Sequence, residues 1–293
     1  MYIAELKKSS YPNCIKYHEL DVALGCNVQC IYCGLATQKN HVQKVDVQNL
    51  LDKLPEDVKG IYLSPNTDAF AQISKESTHQ ILEYYLPKGM KFLLITKNTI
   101  PLKTINLLSQ YSEQVTVKVS LARLDQDLIN YIEPGSASAI DRLKTMRQLT
   151  DAGIKVQALL MPMYPEIDDQ EEKIIELINR IREAGVKLIK SSYVIIRNGI
   201  KDKDIEMINK MLDHPILKKS WELMTEMQTA QIGCGQIYPF DKRVIFYSML
   251  SKICKERDMT FSACTVLDPA LKEMSTDDFF ICKDLKFLPD FLK

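Results

Sequence analysis

The sequence predicts an α/β fold, a partial (β/α)6 TIM-like barrel with a C-terminal helical cap, and three observations point to it. Strand-like apolar runs alternate with helix-period segments, the pattern of βα units on a parallel sheet. With 293 residues and 46% hydrophobic composition, the chain can bury one large core. Polar, reactive residues gather just after the apolar runs, at the strand ends where parallel α/β folds place their sites.

Taken in order, residues 1–17 read as an irregular or partly helical lead-in. His18–Gly25 (HELDVALG) reads as the first strand, with a cysteine-rich loop at its carboxyl end. Val45–Leu54 reads as a short helix with Asp46 as N-cap. Lys59–Leu63 is the second expected strand, followed by the loop Ser64–Phe70 and a helix over Lys75–Leu86. Lys91–Thr96 is the third strand, and Pro101 opens the next helix from its first turn, where a missing N–H does no harm. Gln114–Leu121 alternates as a fourth strand. The helix Ala139–Ala152 should end at Gly153. Ile154–Leu160 and Val186–Ile196 supply the fifth and sixth strands, around a helix over Asp169–Ala184. Beyond about residue 200 the texture changes to helices, a loop at Gly233–Pro239 and a candidate seventh strand at Thr260–Cys264. The expected organisation is a lead-in (1–17), a barrel (18–200) and an extension (201–293) that caps and completes the same domain.

Lysine plus arginine and aspartate plus glutamate balance at 38 each, so no broad basic face is expected for a nucleic-acid backbone. Met1–Ser10 is polar with no apolar run, and no stretch approaches a membrane span; a reducing cytoplasm is the expected setting. The four histidines, His18, His41, His79 and His214, share no metal-ligand spacing. No GxxxxGK[ST] phosphate loop appears, and Gly233-Cys234-Gly235 alone defines no nucleotide site.

The chemistry concentrates in Gly25–Gly34, where Cys26, Cys30 and Cys33 stand four and three positions apart. Three thiolates can hold three irons of a cubane [4Fe–4S] cluster, which otherwise takes four cysteines, and one iron then stays open. A zinc site wants a fourth ligand nearby, and His41 is the near candidate. A disulfide framework suits a small secreted domain rather than a chain of this size. Buried structural cysteines poorly explain three in eight residues flanked by glycines.

This CxxxCxxC spacing, with Tyr32 before the last cysteine and the loop just after a first strand, resembles the signature of the radical S-adenosylmethionine (SAM) enzymes. The resemblance implies that Cys26, Cys30 and Cys33 hold the cluster, that its open iron chelates SAM, and that electron transfer yields a 5′-deoxyadenosyl radical. It further implies a flavodoxin- or ferredoxin-like electron donor. SAM needs acceptors for its ammonium, donors for its carboxylate and partners for its ribose. The strand-end candidates are Tyr32, Ser64, Asn66, Asp68, Lys97, Ser120 and Arg123. Asp68 or Asn66 would take the ammonium, and Lys97 or Arg123 the carboxylate, arginine better if the contact is bidentate. Each competes with an ordinary role in a turn or cap.

SPNTDAF, ITKN, the YIEPG…DRL segment and LLMPMYPEID further resemble the branch that contains spore photoproduct lyase, over about residues 17–200. In that branch Glu133 and Arg142 look like structural partners as much as catalytic ones. Photoproduct lyases repair a thymine dimer with an extra cysteine as hydrogen donor, and Cys234, between two glycines, is the candidate here. Within the branch, a small neutral protein resembles the queuine lyases. These cleave a C–N bond of queuine, a deazapurine carrying a cyclopentenediol, to release 7-aminomethyl-7-deazaguanine in queuosine salvage. Substrate candidates on that reading are Tyr62, Glu133, Tyr193, Arg197 and Asp241. A small polar substrate is therefore expected, with no membrane and no nucleic-acid partner. A nucleic-acid photolesion lyase and a non-catalytic iron–sulfur electron carrier or sensor are the alternatives.

Overall fold

The structure is a computed structural model that describes residues 6–8, 17–33, 42–51, 54–55, 58–197, 209–226, 230–232, 235–264, 270–271 and 280–281. Its organising element is a parallel sheet of eight strands in sequence order. The strands are β1 (His18–Leu20), β2 (Gly60–Leu63), β3 (Lys91–Thr96), β4 (Val115–Ser120), β5 (Lys155–Met163), β6 (Leu188–Tyr193), β7 (Thr260–Ala263) and the two-residue β8 (Phe280–Ile281). Every neighbouring pair is parallel. Among the described residues no pairing closes β8 onto β1, so the barrel is partial.

Alternation along the strands gives the sheet two faces. Val115, Val117 and Val119 of β4 enter the large apolar core under the helices, and so do Phe92 and Leu94 of β3. The residues between them, Thr116, Lys118 and Ser120, turn to the lumen and are also buried. The helices that cover the outer face are α1 (Lys75–Tyr85), α2 (Leu102–Ser109), α3 (Gln126–Ile132), α4 (Ala139–Asp151), α5 (Glu171–Glu183) and α6 (Phe240–Lys255). The apolar stripe of α5 shows the cause: Ile174, Leu177, Ile178 and Ile181 recur at helical spacing and are all buried.

Two expected strands differ. The first stops at Leu20, because Asp21 leaves the ladder to accept hydrogen bonds from Asn66 and Thr67. Ala23–Leu24 then pairs antiparallel with Gln43–Lys44 outside the barrel. The sixth strand stops at Tyr193, and Ile195–Arg197 crosses to a separate three-stranded antiparallel sheet with Gly235–Ile237 and Ala230–Ile232. Of the region expected to cap the barrel, α6 lies against β6 and β7 and so is the helix of the sixth βα unit, leading into a seventh strand. Among the described residues no helix is long and apolar enough to cross a membrane.

Candidate cofactor site at the barrel mouth

The cysteine loop begins where β1 ends. Gly25 sits at φ 73°, a left-handed conformation that costs glycine little. The three cysteines are free thiols; Cys30 is buried and Cys26 and Cys33 are half-buried. Cys30 packs with Val28 and Ala71, and Cys26, Tyr32 and Cys33 lean on the same small apolar cluster. Burial pushes the Cys26 thiol up to about 11 and the Cys30 thiol up to about 12. Among the described residues no three His, Cys, Asp or Glu side chains converge on a point fit for a single metal ion. Three thiols in eight residues match three of the four cysteine ligands that a cubane normally takes.

The loop is held from a distant part of the chain. Asp125 caps α3 by accepting from the Leu128 N–H at 3.0 Å, and α3 ends at Ile132, with Glu133 as its C-cap, because Pro134 cannot continue it. Ser138 then caps α4, which places Arg142 on its first turn. The turn between the helices grips the cysteine loop. The Ile31 N–H donates to the Ile132 carbonyl at 2.9 Å, and the Gly135 N–H donates to the Val28 carbonyl at 2.9 Å. The Tyr32 hydroxyl donates to Glu133 Oε1 at 2.5 Å. The other Glu133 oxygen pairs with Arg142 Nη2 at 2.7 Å, both side chains almost wholly buried. Arg142 also donates to the carbonyls of Ala137 and Ser120 and to the Ser136 hydroxyl. Burial opposes the Glu133 charge, and Arg142, Lys97 and Arg123 outweigh it, holding the carboxyl below its usual range.

Gly135 has no room for a side chain. A Cβ there would stand 2.2 Å from the Asn27 carbonyl oxygen and 2.8 Å from the Val28 Cα. Both obstacles are backbone of the cysteine loop, so they move only if the loop moves. Gly135→Ala is expected to cost about 1–3 kcal/mol, the usual range for overpacking. It should also lower the iron retained per chain after anaerobic reconstitution. A variant with wild-type melting and iron content would show that the contact does not position the loop.

The strand-end candidates separate into groups. Asp68 is buried, and its oxygens accept from the Phe70 N–H, the Thr96 hydroxyl and the Lys97 N–H at 2.9, 2.7 and 2.7 Å. Lys97 reaches over the Tyr32 ring, its ammonium 5.8 Å from the centroid. Burial works against that ammonium, but Cys30, Glu133 and Asp68 together keep its pKa above the ordinary lysine value. Ser64, at φ 56°, ties β2 to β1: its N–H donates to the Leu20 carbonyl and its hydroxyl accepts from the Val22 N–H. Ser120 is buried at the end of β4. Arg123 makes a bidentate pair with Asp168, at 2.9 and 2.6 Å, and donates to the Pro162 carbonyl. Two buried polar atoms near the loop and beside Lys97, Asn27 Oδ1 and Asn98 Nδ2, have no hydrogen-bond partner.

The substrate candidates do not form one group. Tyr62 faces the lumen, where Lys118 stands 6.0 Å from its ring. Glu133 belongs to the loop clamp. Tyr193 was expected to face substrate, but it packs between the sheet and α6 against Tyr238, Phe246 and Tyr247. Its hydroxyl donates to Asp169 at 2.9 Å. The reason is parity: with Ile189, it falls on the helix-covered face. Asp241 is exposed on the first turn of α6, where a carboxylate suits the helix dipole. Arg197 lies on the antiparallel strand opposite Gly235. Cys234 and His41 lie outside the described residues. Sequence reading missed Asp21, whose only signal was a charge inside an apolar run, and Asp168, the partner of Arg123 across 45 positions.

A parallel sheet in sequence order, with a three-cysteine loop between its first and second strands, defines a class: partial βα barrels that carry a cysteine loop at the carboxyl mouth. The chain belongs to the radical SAM superfamily, whose sequence profile matches residues 21–178, more than half of it. Membership implies a [4Fe–4S] cluster and SAM. Among curated relatives, an uncharacterized protein of Acidianus two-tailed virus is 28% identical over 178 residues, 57% of this chain and 59% of the relative. An uncharacterized protein of Methanocaldococcus jannaschii is 26% identical over 159 residues, 50% of this chain and 61% of the relative. The matches thus span about three fifths of those relatives' length. Among solved structures, spore photoproduct lyase complexed with dinucleoside spore photoproduct superposes with TM-score 0.63 at 14% identity, covering 88% of this chain and 78% of that one. Streptococcus suis SuiB bound to S-adenosylmethionine superposes with TM-score 0.55 at 14% identity, covering 90% and 57%. At that identity the two structures establish a shared fold.

Proposed function

We propose that Cys26, Cys30 and Cys33 hold a [4Fe–4S] cluster with one open iron, and that the protein uses it with SAM to abstract hydrogen from a small polar substrate held in the barrel. The observation that carries this reading is the three-thiol loop, clamped at the carboxyl end of β1 by Glu133 and Gly135. When bound, the cluster supplies the electron that cleaves SAM and so furnishes a reactive carbon radical. The chain's own residues position and shield. Lys97 is the cation set over the loop beside Tyr32, and it is our choice for the SAM carboxylate. Arg123 is committed to Asp168 and keeps the β4 loop in place. Asp68, with its oxygens already bonded, positions Lys97. Asn27 and Asn98 hold unpartnered polar atoms that a polar cofactor would satisfy. The packed sheet and helices exclude water from the radical.

Anaerobic reconstitution, followed by SAM and a reductant, should yield 5′-deoxyadenosine. An iron-loaded protein that leaves SAM intact and shows no SAM-dependent spectral change would be an electron carrier or sensor instead. The balanced charge supports a small substrate over a nucleic-acid lesion. Among lyase reactions, queuine is the narrow choice, and it rests on resemblance alone. Incubation with queuine should release 7-aminomethyl-7-deazaguanine, detected by mass spectrometry. Ample SAM cleavage without that base removes queuine and leaves the wider reading standing.

A further inference from the structure

Three cations act on Glu133, the residue that clamps the cysteine loop: Arg142, Lys97 and Arg123. Two of them are matched. Arg142 pairs with Glu133 itself at 2.7 Å, and Arg123 with Asp168 at 2.6 Å. Lys97 is placed differently. Its N–H donates to Asp68 Oδ2 at 2.7 Å and its carbonyl accepts from the Ala137 N–H at 3.0 Å, so its backbone is pinned from two sides. Its ammonium stands 5.8 Å from the centroid of the Tyr32 ring, a favourable seat for a cation. That ring is fixed in turn, because its hydroxyl is held by Glu133. Tyr32 lies between Cys30 and Cys33 in the chain, and both it and Cys26 and Cys33 lean on the small cluster that buries Cys30. Among the described residues no carboxylate forms a salt bridge with Lys97; the Asp68 oxygens accept from the Phe70 N–H, the Thr96 hydroxyl and the Lys97 N–H.

We propose that Lys97 sets the reduction potential of the cluster held by Cys26, Cys30 and Cys33, its fixed positive charge favouring the reduced form. The inference rests on the functional reading above, that these cysteines hold a cluster. Reduction takes one electron from an external donor and leaves the cluster with one more negative charge. Net charge nearby is among the factors that set an iron–sulfur potential. A cation held at the ring beside the ligands attracts that added charge. Lys97 is half-buried, so water and salt screen the attraction only in part. Burial works against the ammonium, and the strongest attraction that offsets it comes from Cys30, ahead of Glu133 and Asp68. The same ammonium is our choice for the SAM carboxylate, so the potential is read before SAM is added.

Full-length protein is reconstituted anaerobically and titrated with dithionite in the presence of redox mediators, with the reduced cluster followed by electron paramagnetic resonance. Lys97→Met should make reduction about tenfold less favourable, which for one electron lowers the potential by about 59 mV. Lys97→Arg keeps the charge and should titrate with the wild type. Lys103→Met removes an exposed lysine of α2, paired with Glu76, and should leave the potential unchanged. A Lys97→Met cluster that titrates with the wild type overturns the proposal, and so does Lys97→Arg titrating with Lys97→Met. If Lys97→Met does not hold a cluster, Lys97→Gln takes its place under the same expectation. If neither variant holds one, Lys97 serves assembly rather than potential, and the proposal falls. Iron content and 5′-deoxyadenosine are scored separately. Wild-type protein that takes up no cluster sinks the functional reading itself, whereas an intact cluster and product with an unmoved potential sink the role of Lys97 alone.

Discussion

Cys30→Ala should abolish 5′-deoxyadenosine formation, and reconstituted protein should lose its intact cluster with it. Cys30 is the middle ligand of the proposed three and the only one that is fully buried, packed on Val28 and Ala71. Alanine removes the sulfur and leaves two half-buried thiols, too few to hold a cubane that normally takes four cysteines. Cys254→Ala is the matched control. That thiol is also buried, but it lies on α6 away from the loop, and its loss should leave iron content and product unchanged. Iron, sulfide and product are measured on both variants after anaerobic reconstitution. A wild-type rate in Cys30→Ala would reject the assignment outright, and so would zinc at the wild-type site.

Arg142→Met should be the most destabilising single change at the mouth. It deletes one member of a buried pair whose side chains are 1% and 4% exposed, and strands the other. Breaking such a pair costs about 3–5 kcal/mol, because an uncompensated carboxylate stays buried. For a chain of this size that lowers the melting temperature by about 10 °C. The effect should reach the cofactor, since Glu133 also receives the Tyr32 hydroxyl. The pH dependence has a defined sign. Glu133 titrates below the ordinary carboxyl range in the folded state, so its contribution is complete above the unfolded value. It is lost as pH falls through the depressed folded value. Glu133→Gln should therefore flatten the acid limb of the stability profile. Arg142→Met melting with the wild type would show that the pair is not holding the turn.

Much of the barrel was legible because parallel strands buried on both faces read as apolar runs, and the helices between them carry a clean 3.6-residue period. KFLLIT became β3 with the expected bounds, and QVTVKVSL became β4 within one residue at each end. The cysteine loop stood out in the sequence by its spacing, by Tyr32 before the last cysteine and by its place after the first strand. What failed to show was anything set by pairing across the sequence. Arg123 looked free for a cofactor carboxylate, yet Asp168 answers it from the far side of β5. Tyr193 looked like a strand-end residue, yet one position of parity decides between lumen and helix layer, and a mixed polar stretch such as KSSYV does not declare its parity. Asp21 was hidden inside an apolar run because the hydrogen bonds that pull it from the ladder come from residues 66 and 67.

The grip of residues 132–142 on the cysteine loop has a consequence for how the protein matures. A nascent chain that has displayed only its first hundred residues already offers the three thiols of the loop, yet lacks the turn that grips them. The receptacle forms only once α3, the turn at Gly135 and α4 have left the ribosome and docked. Iron delivery thus waits on a finished half-barrel, and a truncated product ending before residue 142 would present loose thiols to the cell's oxidants rather than to its iron–sulfur assembly machinery.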